Sequence, residues 1–358
     1  MKYDNKLLID GKVIDKSSPT YFIADIGANH DGEIQRAIDL IYLAKDAGAD
    51  AAKFQHFKAN SIVSDHGFKK LGKQHSHQAR WSKSVFEVYN EASIALDWTP
   101  VLKEACNDAG ITFFTSPYDF DLVEHVDPFV PAYKIGSGDI TWLEMIEYIS
   151  SKGKPVILAS GASTMDDTHR AVVSATSITP KFALMQCNTN YTGSLENFQF
   201  IQLNVLKTFQ TMYPGMVLGL SDHTPGHATV LGAVALGASM VEKHFTDNVN
   251  RNGPDHPFSM NPQDWREMVD RTRELEYALG NGVKKIEENE VETSVLQRRG
   301  IRLVRDMAAG EVICREDLEV LRPCPADALP PYLIGEMIGK KLRYDMLHGQ
   351  HLRVTDIE

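Results

Sequence analysis

Cysteine is scarce in this chain of 358 residues, which contains only Cys106, Cys187, Cys314 and Cys324. No two of them form a Cys-x-x-Cys pair, so the spacing indicates neither a zinc knuckle nor a disulfide framework. We interpret the four thiols as small buried hydrophobes.

The chain also lacks an excess of basic residues and any long apolar run. Lysine and arginine number 37 against 48 acidic residues, a net charge of -11, whereas nucleic acids and anionic membranes require a basic surface. The N-terminus has no apolar signal-peptide core, and no stretch reaches the roughly 18 apolar residues of a membrane span. We expect a cytoplasmic protein with neither nucleic-acid nor membrane partners.

Short apolar runs do recur, and helix-like amphipathic segments follow them. This alternation over about 260 residues predicts an α/β fold, a (β/α)8 TIM barrel. The eight expected strands are YFIADIG (21–27), AAKFQHF (51–57), ITFFTS (111–116), AYKIGS (132–137), PVILAS (155–160), FALMQCN (182–188), MVLGLSDH (216–223) and MVEKHFT (240–246).

Two local features qualify this pattern. Thr99 followed by Pro100 predicts a helix that starts with a threonine N-cap and a proline at its first position. Residues 58–97 interrupt the strand–helix rhythm with a long polar loop, which is more typical of a lid or substrate loop than of a simple connection. A merely solvated loop remains the alternative.

The composition changes near the C-terminus. Residues 284–298 are charged and predict a linker or an exposed helix, and short strand-like pieces follow. The predicted domains are therefore a barrel over 1–283, the linker over 284–298 and a small, mostly β domain over 299–358. A β domain of this size is expected to lean on a partner surface.

Polar residues gather where the predicted strands end, which is where TIM barrels hold their active sites. Packing alone would make such strands nearly continuous apolar runs. The residues are Asp25, Lys53, Gln55, Lys134, Ser137, Ser160, Ser221, Asp222, His223, Glu242 and His244.

Lys53 and Lys134 lie inside apolar runs, where an unpaired ammonium is costly to bury. Together with nearby serines they predict a site for a small anion that carries phosphate or carboxylate. The alternative is a structural ion pair with Asp25, Glu242 or Asp222.

His223 and His244 end the last two predicted strands, so their imidazoles are expected to converge and share a divalent metal. Two nitrogen ligands suit an open Lewis-acid site for manganese or magnesium better than a closed zinc site. Histidines that are hydrogen-bonded to a neighbouring carboxylate are the alternative.

Nine motifs in one order resemble the sialic acid synthase family, which includes N-acetylneuraminate, legionaminate and pseudaminate synthases. They are IADIGANHDG, KFQ, SPYDF, YKIGSGD, ILASGAS, GLSDHTPG, GAVALGA, VEKHFTD and NGPDHPFSMNP. The resemblance covers nearly the whole chain. The tail, with RLVRDMAAGEVICREDLEVLRP and IGKKL, is similar to the antifreeze-like (SAF) domain of that family.

The resemblance implies a transferase that condenses phosphoenolpyruvate with the open-chain aldehyde of an N-acylated hexosamine such as N-acetylmannosamine and releases phosphate. It implies manganese on His223 and His244, with Asp25, Lys53 and Lys134 as further catalytic residues. The implied substrate contacts are Gln55, Tyr118, Ser137, Asp139, Ser160, Thr189, Tyr191, Ser221, Asp222, Glu242, Asp255 and Arg322. It also implies a domain-swapped homodimer in which the SAF domain caps the partner's barrel and Arg322 reaches the acyl group of the sugar.

The sequence departs from the family pattern at several positions. Asp25 stands where glutamate is usual, Ala159 where serine is frequent, and Asp139 where some bacterial members have glutamate. CPADALPP replaces a glycine-rich turn after Arg322. The shorter arm of Asp25 predicts an acceptor of different shape, and a water-bridged contact or reduced activity are the alternatives.

Two other functions remain open. One is a related ulosonic acid synthase that acts on a phosphorylated sugar, for which Arg80 and Arg251 are the loop candidates to bind the second phosphate. The other is a non-catalytic carbohydrate-binding barrel, which would be expected to lose the lysine or histidine pair that this chain keeps.

Overall fold

The computed structural model describes residues 1–71, 78 and 81–358, and the chain divides into two compact units, Met1–Gly280 and Asn281–Glu358. The predicted linker, 284–298, therefore falls within the second unit. Within the described part of the chain, no helix is long and apolar enough to cross a membrane.

The first unit opens with an antiparallel hairpin of β1 (Leu7–Ile9) and β2 (Lys12–Ile14). Eight parallel strands follow, and they confirm the predicted barrel. They are β3 (Tyr21–Asp25), β4 (Ala51–His56), β5 (Thr112–Pro117), β6 (Tyr133–Ile135), β7 (Val156–Ala159), β8 (Phe182–Cys187), β9 (Val217–Asp222) and β10 (Met240–His244). The ladder runs β5-β4-β3-β10-β9-β8-β7-β6, so the first and last strands of the barrel pair with each other.

The barrel interior is layered along its axis. Inward side chains such as Ile23, Phe114, Ile157 and Met240 form a fully buried apolar core, and residues of the β1–β2 hairpin belong to the same cluster. Beyond this core, towards the carboxyl ends of the strands, the inward positions become polar. The apolar core therefore supports a polar layer from below.

Helices pack around the strands through apolar stripes and bury the outer core. Their bounds in the first unit are α1 (Ile34–Asp46), α2 (Ala59–Ile62), α3 (Asp65–Leu71), α4 (Val85–Ala92), α5 (Trp98–Ala109), α6 (Phe120–Val126), α7 (Leu143–Ser151), α8 (Met165–Ile178), α9 (Val205–Met212), α10 (Ala228–Ala235) and α11 (Pro262–Leu279).

The predicted start of α5 was wrong. The helix begins at Trp98 with Asp97 at the N-cap, so Thr99 and Pro100 both lie inside the first turn. The Thr99 hydroxyl contacts two imidazoles and lies 2.9 Å from Nε2 of buried His56 and 2.9 Å from Nε2 of half-buried His125. Proline is tolerated there because first-turn amides have no helical acceptor.

Residues 58–97, predicted as a long polar loop, are in part helical. They contain α2, α3 and α4, and α4 begins with a capping box in which Ser84 and Glu87 exchange hydrogen bonds. Helices this short have little amphipathic signal in the sequence, and packing rather than propensity stabilises them.

The second unit has its own small core, which includes Ile301, Leu303, Ile313 and Leu342. It contains the antiparallel pair β11 (Gly300–Leu303) and β12 (Leu318–Leu321), with the helices α12 (Val291–Gln297) and α13 (Ile334–Met337). Isolated bridges link the remaining segments. The unit is therefore mostly built from short β pieces, as the sequence indicates.

Candidate active site

Strand register brings the candidate residues side by side at the carboxyl ends of the barrel strands. Asp25 is in register with Lys53 on one side and with His244 on the other. Ser221 is likewise in register with Glu242. Registered residues of parallel neighbours point to the same side of the sheet, so one inward layer carries the charged groups.

These side chains enclose a small polar chamber of about 40 Å³ at the top of the apolar core. Its lining consists of Asp25, Lys53, Gln55, Ser116, Tyr118, Lys134, Gly136, Ser137, Ala159, Cys187, Tyr191, Ser221, His223, Glu242 and His244. Lysines, carboxylates and imidazoles thus meet in one enclosed space.

Both buried lysines have carboxylate neighbours, which is the alternative that the sequence left open. Lys53 Nζ donates to Asp25 Oδ2 at 2.6 Å and lies 3.7 Å from Glu242 Oε1. Burial alone would lower the pKa of Lys53, but the negative charges of Asp25 and Glu242 outweigh it and hold that pKa above its usual value. Lys53 is therefore protonated near neutral pH.

Lys134 is less completely paired than Lys53. Among the described residues, its ammonium has a carbonyl oxygen of Ile135 at 3.3 Å and Glu242 Oε1 at 3.4 Å. Its side chain is only 2% exposed, and Glu242 Oε2 is buried without a hydrogen-bond partner in the described structure. An ammonium with three donors and only long contacts remains available to an anionic ligand.

His223 and His244 converge as predicted, with ring centroids 5.6 Å apart. His223 Nδ1 lies 2.9 Å from the carbonyl oxygen of Asn188, and because a carbonyl can only accept, the proton is on Nδ1 and Nε2 keeps its lone pair. Burial lowers the pKa of His223, and it holds that of His244 well below its usual range, with a further lowering from His223. Both rings are therefore neutral.

The chamber opens into an outer cleft of about 490 Å³. The two spaces share Gln55, Tyr118, Gly136, Ser137, Tyr191 and His244, so they form one continuous site. The other residues of the cleft are Ala28, Phe57, Ile62, Gln78, Trp81, Val88, Tyr89, Ala92, Gly138, Asp139, Ala162, Thr189, Pro254, Asp255 and Phe258.

Two acids of the cleft have raised pKa values. Burial raises the pKa of Asp255 to about 7, with the nearby charge of Asp25 adding to the shift, although Asp255 accepts a hydrogen bond from the Ala28 amide at 2.9 Å. Burial raises the pKa of Asp139 to about 6. Near neutral pH both positions can exchange a proton with a ligand.

Gly27 allows Asp255 to approach His244. Its φ is +50°, and a Cβ there would lie 2.5 Å from Asp255 Oδ2 and 3.2 Å from the His244 ring. Glycine is required for both the backbone conformation and the space. The turn after β3 and the loop after β10 therefore close on each other at the site.

Two predicted contacts of the first unit, Asp222 and Ser160, line neither the chamber nor the cleft. Asp222 accepts a hydrogen bond from Lys243 at 2.5 Å, as well as bonds from Thr224 and Thr229, because its side chain points to the outer face of β9. The hydroxyl of Ser160 donates to the carbonyl of Met185 and lines neither space.

Arg322 belongs to the second unit and is exposed. Of the arginines considered for a second phosphate, Arg251 pairs with Asp31 at 3.1 Å, and Arg80 lies outside the described residues.

Sequence reasoning missed Ser116 and Cys187, which both line the chamber. Ser116 is the last residue of one expected strand and Cys187 the last but one of another, so the rule that selected the other residues could have found them. The interpretation of the cysteines as buried hydrophobes holds for Cys106 and Cys187, whereas it is wrong for Cys314, which is exposed. All four are free thiols.

The donor set fits a divalent ion held by two nitrogens. His223 Nε2 has a free lone pair, and Nδ1 of His244 is buried without a hydrogen-bond partner in the described structure. Asp25 Oδ2 lies 3.4 Å from His244 Nε2 and supplies a nearby oxygen donor. In the described part of the chain no group of three or more His, Cys, Asp or Glu side chains is arranged to hold a metal, so further positions would go to water or substrate.

Comparison with known proteins gives matches along nearly the whole chain. Residues 40–284 match the model of the NeuB family, and residues 298–358 match the SAF domain. The chain is 32% identical to the N,N'-diacetyllegionaminic acid synthase of Legionella pneumophila, with 96% of both chains covered.

Two further proteins match most of the chain and are also named as synthases or synthetases of N-acetylneuraminic acid or its phosphate. Identity to the human N-acetylneuraminate-9-phosphate synthase is 30%, over 94% of this chain and 92% of that protein. The crystal structure of the N-acetylneuraminic acid synthetase from Leptospira borgpetersenii, in complex with citrate, superposes with a TM-score of 0.70 at 26% identity, over 82% of this chain and 96% of that one.

Proposed function

Since this chain belongs to the NeuB family, we propose that it is a nonulosonic acid synthase that condenses phosphoenolpyruvate with the aldehyde of an N-acylated hexosamine. The observation that carries the proposal is the chamber in which Lys53 and Lys134 face two neutral imidazoles at the inner end of a larger cleft. The relatives are themselves named as synthases of sialic-type acids.

The buried cations suit the charged end of phosphoenolpyruvate. Lys134 has only long contacts in the described structure, and Ser137 and Ser221 place hydroxyl groups in the same chamber. Phosphate and carboxylate oxygens accept hydrogen bonds from such donors. We assign the charged end of phosphoenolpyruvate to the chamber and the sugar to the outer cleft, which Thr189 also lines.

The reaction balances with these two substrates. The enol carbon of phosphoenolpyruvate forms a bond to the aldehyde carbon, whose oxygen takes up a proton. Water then attacks the cationic carbon that bears the phosphate and releases a proton, and the tetrahedral intermediate collapses with cleavage of its carbon–oxygen bond to phosphate. Lys53 and Lys134 stabilise the anionic groups throughout.

His223 and His244 would hold a divalent ion, manganese or magnesium, which when bound supplies Lewis acidity to the aldehyde oxygen. Asp255 has a pKa of about 7 and lies 3.6 Å from His244 Nδ1, so it can hold or release a proton beside the sugar. Removal of metal with a chelator should abolish turnover, and added manganese should restore it. Retention of full activity after exhaustive chelation would contradict this assignment.

The direct test measures phosphate release from phosphoenolpyruvate with manganese present. The sugars are N-acetylmannosamine, mannose, mannose 6-phosphate and diacetamido-trideoxyhexoses. We expect release with at least one unphosphorylated N-acylated sugar, and a loss of at least about 100-fold in Lys134→Gln. The matched control is Lys69→Gln, because Lys69 is exposed on α3.

Release with mannose 6-phosphate alone would favour the related synthase that uses a phosphorylated sugar. The described lining of the cleft contains no lysine or arginine to bind a second phosphate, and it carries Asp139 and Asp255. Absence of release with every sugar would contradict the synthase proposal.

A further inference from the structure

A second buried ion pair lies on the outer face of the barrel strands, next to the two histidines. Lys243 Nζ lies 2.5 Å from Asp222 Oδ2, and the two side chains are 1% and 0% exposed. Asp222 directly precedes His223 in the chain, and Lys243 likewise precedes His244. Because side chains alternate along a strand, the pair joins the two histidine-bearing strands from the side opposite to the chamber.

Two threonines complete the surroundings of this pair. The hydroxyl of Thr224 donates to Asp222 Oδ2 at 2.8 Å, and that of Thr229, in the first turn of α10, donates to the same oxygen at 2.7 Å. Lys243 Nζ also donates to the carbonyl oxygen of Thr224 at 2.6 Å. The residues on both sides of His223 are therefore tied to β10 by a single ammonium group.

The pair stands where the pairing of β9 with β10 ends. Lys243 and Asp222 are the last residues in register between these two strands, and His223 follows one residue later. The Lys243 side chain extends the connection past that point, since it binds the carbonyl group of the residue after His223. On its other side β10 continues in register with β3 as far as His244. The position of one imidazole relative to the other therefore depends on Lys243.

The energetics of burial indicate what such a pair contributes. Taking two charges out of water is costly, and apolar side chains of similar volume often stabilise a core equally well or better. Packing of α10 against the barrel would thus require neither Lys243 nor Asp222. Apolar side chains, however, supply no donor for the Thr224 carbonyl. The contribution that only the charged pair makes is the position of the backbone around His223.

We infer that Lys243 and Asp222 are positioning residues, which hold the imidazole of His223 in place beside that of His244 for a shared divalent ion. The inference rests on the metal assignment made in the proposed function. Groups that orient metal ligands from behind typically affect metal affinity about 10- to 100-fold. Lys243→Met should therefore weaken manganese binding, although the Lys243 side chain does not line the chamber.

The test titrates the full chain with manganese and follows the free ion by electron paramagnetic resonance. His223→Gln lacks one of the two proposed ligands and defines the binding that belongs to other sites. We expect the dissociation constant to rise about 10-fold or more in Lys243→Met. Because this variant leaves the Asp222 carboxylate buried without its cation, a second variant combines Lys243→Met with Asp222→Asn.

The double variant separates positioning from folding. It should regain part of the urea midpoint that Lys243→Met loses, because no uncompensated charge is buried. Its manganese affinity should stay low, because methionine has no donor for the Thr224 carbonyl. Met268→Ala is the matched control, since it opens a cavity in the outer core and its side chain lines neither space. It should lower the urea midpoint and leave the affinity unchanged.

Each other outcome is decisive. Wild-type affinity in the double variant would overturn the inference and leave the metal assignment intact. An affinity that follows the urea midpoint in every variant, Met268→Ala included, would show that Lys243 and Asp222 act only through folding. Identical binding by the wild type and His223→Gln would contradict the metal assignment, and the inference would fall with it.

Discussion

At the scale of single residues, the charges of the site are held by partners that are themselves buried. Asp25 accepts from Lys53 at 2.6 Å, from Gln55 at 3.0 Å and from the Gly27 amide at 3.0 Å. Its side chain and that of Lys53 are both 2% exposed. A charge pair of this kind stabilises the native state mainly by preventing an uncompensated buried charge.

Asp25→Asn should therefore destabilise the barrel as well as reduce activity. The Lys53 ammonium would keep an oxygen acceptor but lose its paired negative charge, which is expected to cost about 3 kcal/mol. Urea unfolding followed by tryptophan fluorescence reports on the barrel, because all four tryptophans precede residue 281. Asp65→Asn breaks an exposed ion pair of similar length and should cost less than about 1 kcal/mol. Equal costs in the two variants would contradict this account.

Asp139 should make stability depend on pH. Burial raises its pKa from 3.8 to about 6, so the native state binds this proton more tightly than the unfolded state. The stability that the proton on Asp139 contributes to the native state is fully present below about pH 4 and is lost as the pH rises through about 6. Asp139→Asn should therefore stabilise the barrel relative to the wild type at pH 7.5 but not at pH 4.

The same urea-unfolding measurement, made at several pH values, tests the predicted direction of this pH dependence. Asp121→Asn, at an exposed position on α6, is the control and should follow the wild-type profile. If the unfolding free energies of Asp139→Asn and the wild type change in parallel with pH, Asp139 does not cause the pH dependence.

At the scale of elements, the alternation of side chains along a strand decides which residues reach the site. Ser221 points inward, so Asp222 must point outward, where it pairs with Lys243, its neighbour in register. The two-residue period could have excluded Asp222 from the sequence alone.

The eight strands were predictable because their short apolar runs alternate with helix-like amphipathic segments. The contribution of α4 to the cleft was not predictable, because side chains such as Val88 and Tyr89 are equally consistent with a core position. The ion-pair partners of the lysines could not be predicted either, since only strand register shows that Lys53 lies beside Asp25.

The turn after β7 gives a prediction at this scale. A Cβ at Gly161 would lie 2.5 Å from Cγ2 of Thr189, 2.8 Å from Oγ of Ser137 and 3.0 Å from Sγ of Cys187. Gly161→Ala should displace these groups and raise the KM for phosphoenolpyruvate by about 10-fold or more. At Gly335 an added Cβ meets nothing within 4 Å, so Gly335→Ala should leave KM unchanged. An unaltered KM in Gly161→Ala would contradict the placement of phosphoenolpyruvate in the chamber.

At the scale of the whole molecule, the proposed domain-swapped dimer predicts complementation between subunits. Lys53→Ala inactivates the barrel of its own chain, whereas Arg322→Ala would impair the partner's site. Co-expressed and co-purified, the two variants should recover part of the activity, because each mixed dimer contains one site with both residues intact.

The control co-expresses the Lys53→Ala chain with the Lys134→Ala chain. Every barrel then lacks one of the two lysines, so no recovery of activity is expected. If Lys53→Ala and Arg322→Ala also fail to complement in a verified mixed dimer, Arg322 does not act across the dimer.

The pairing of β3 with β10 has a consequence for synthesis of the protein. Asp25 and His244 are neighbours in register although 219 residues separate them, so the charged layer is completed only when the last strand joins the first. Until β10 has been synthesised, a nascent chain lacks Glu242 and His244, so the site has no carboxylate or imidazole from that strand. Ring closure is then a precondition for activity, so a chain that ends before β10 should have none.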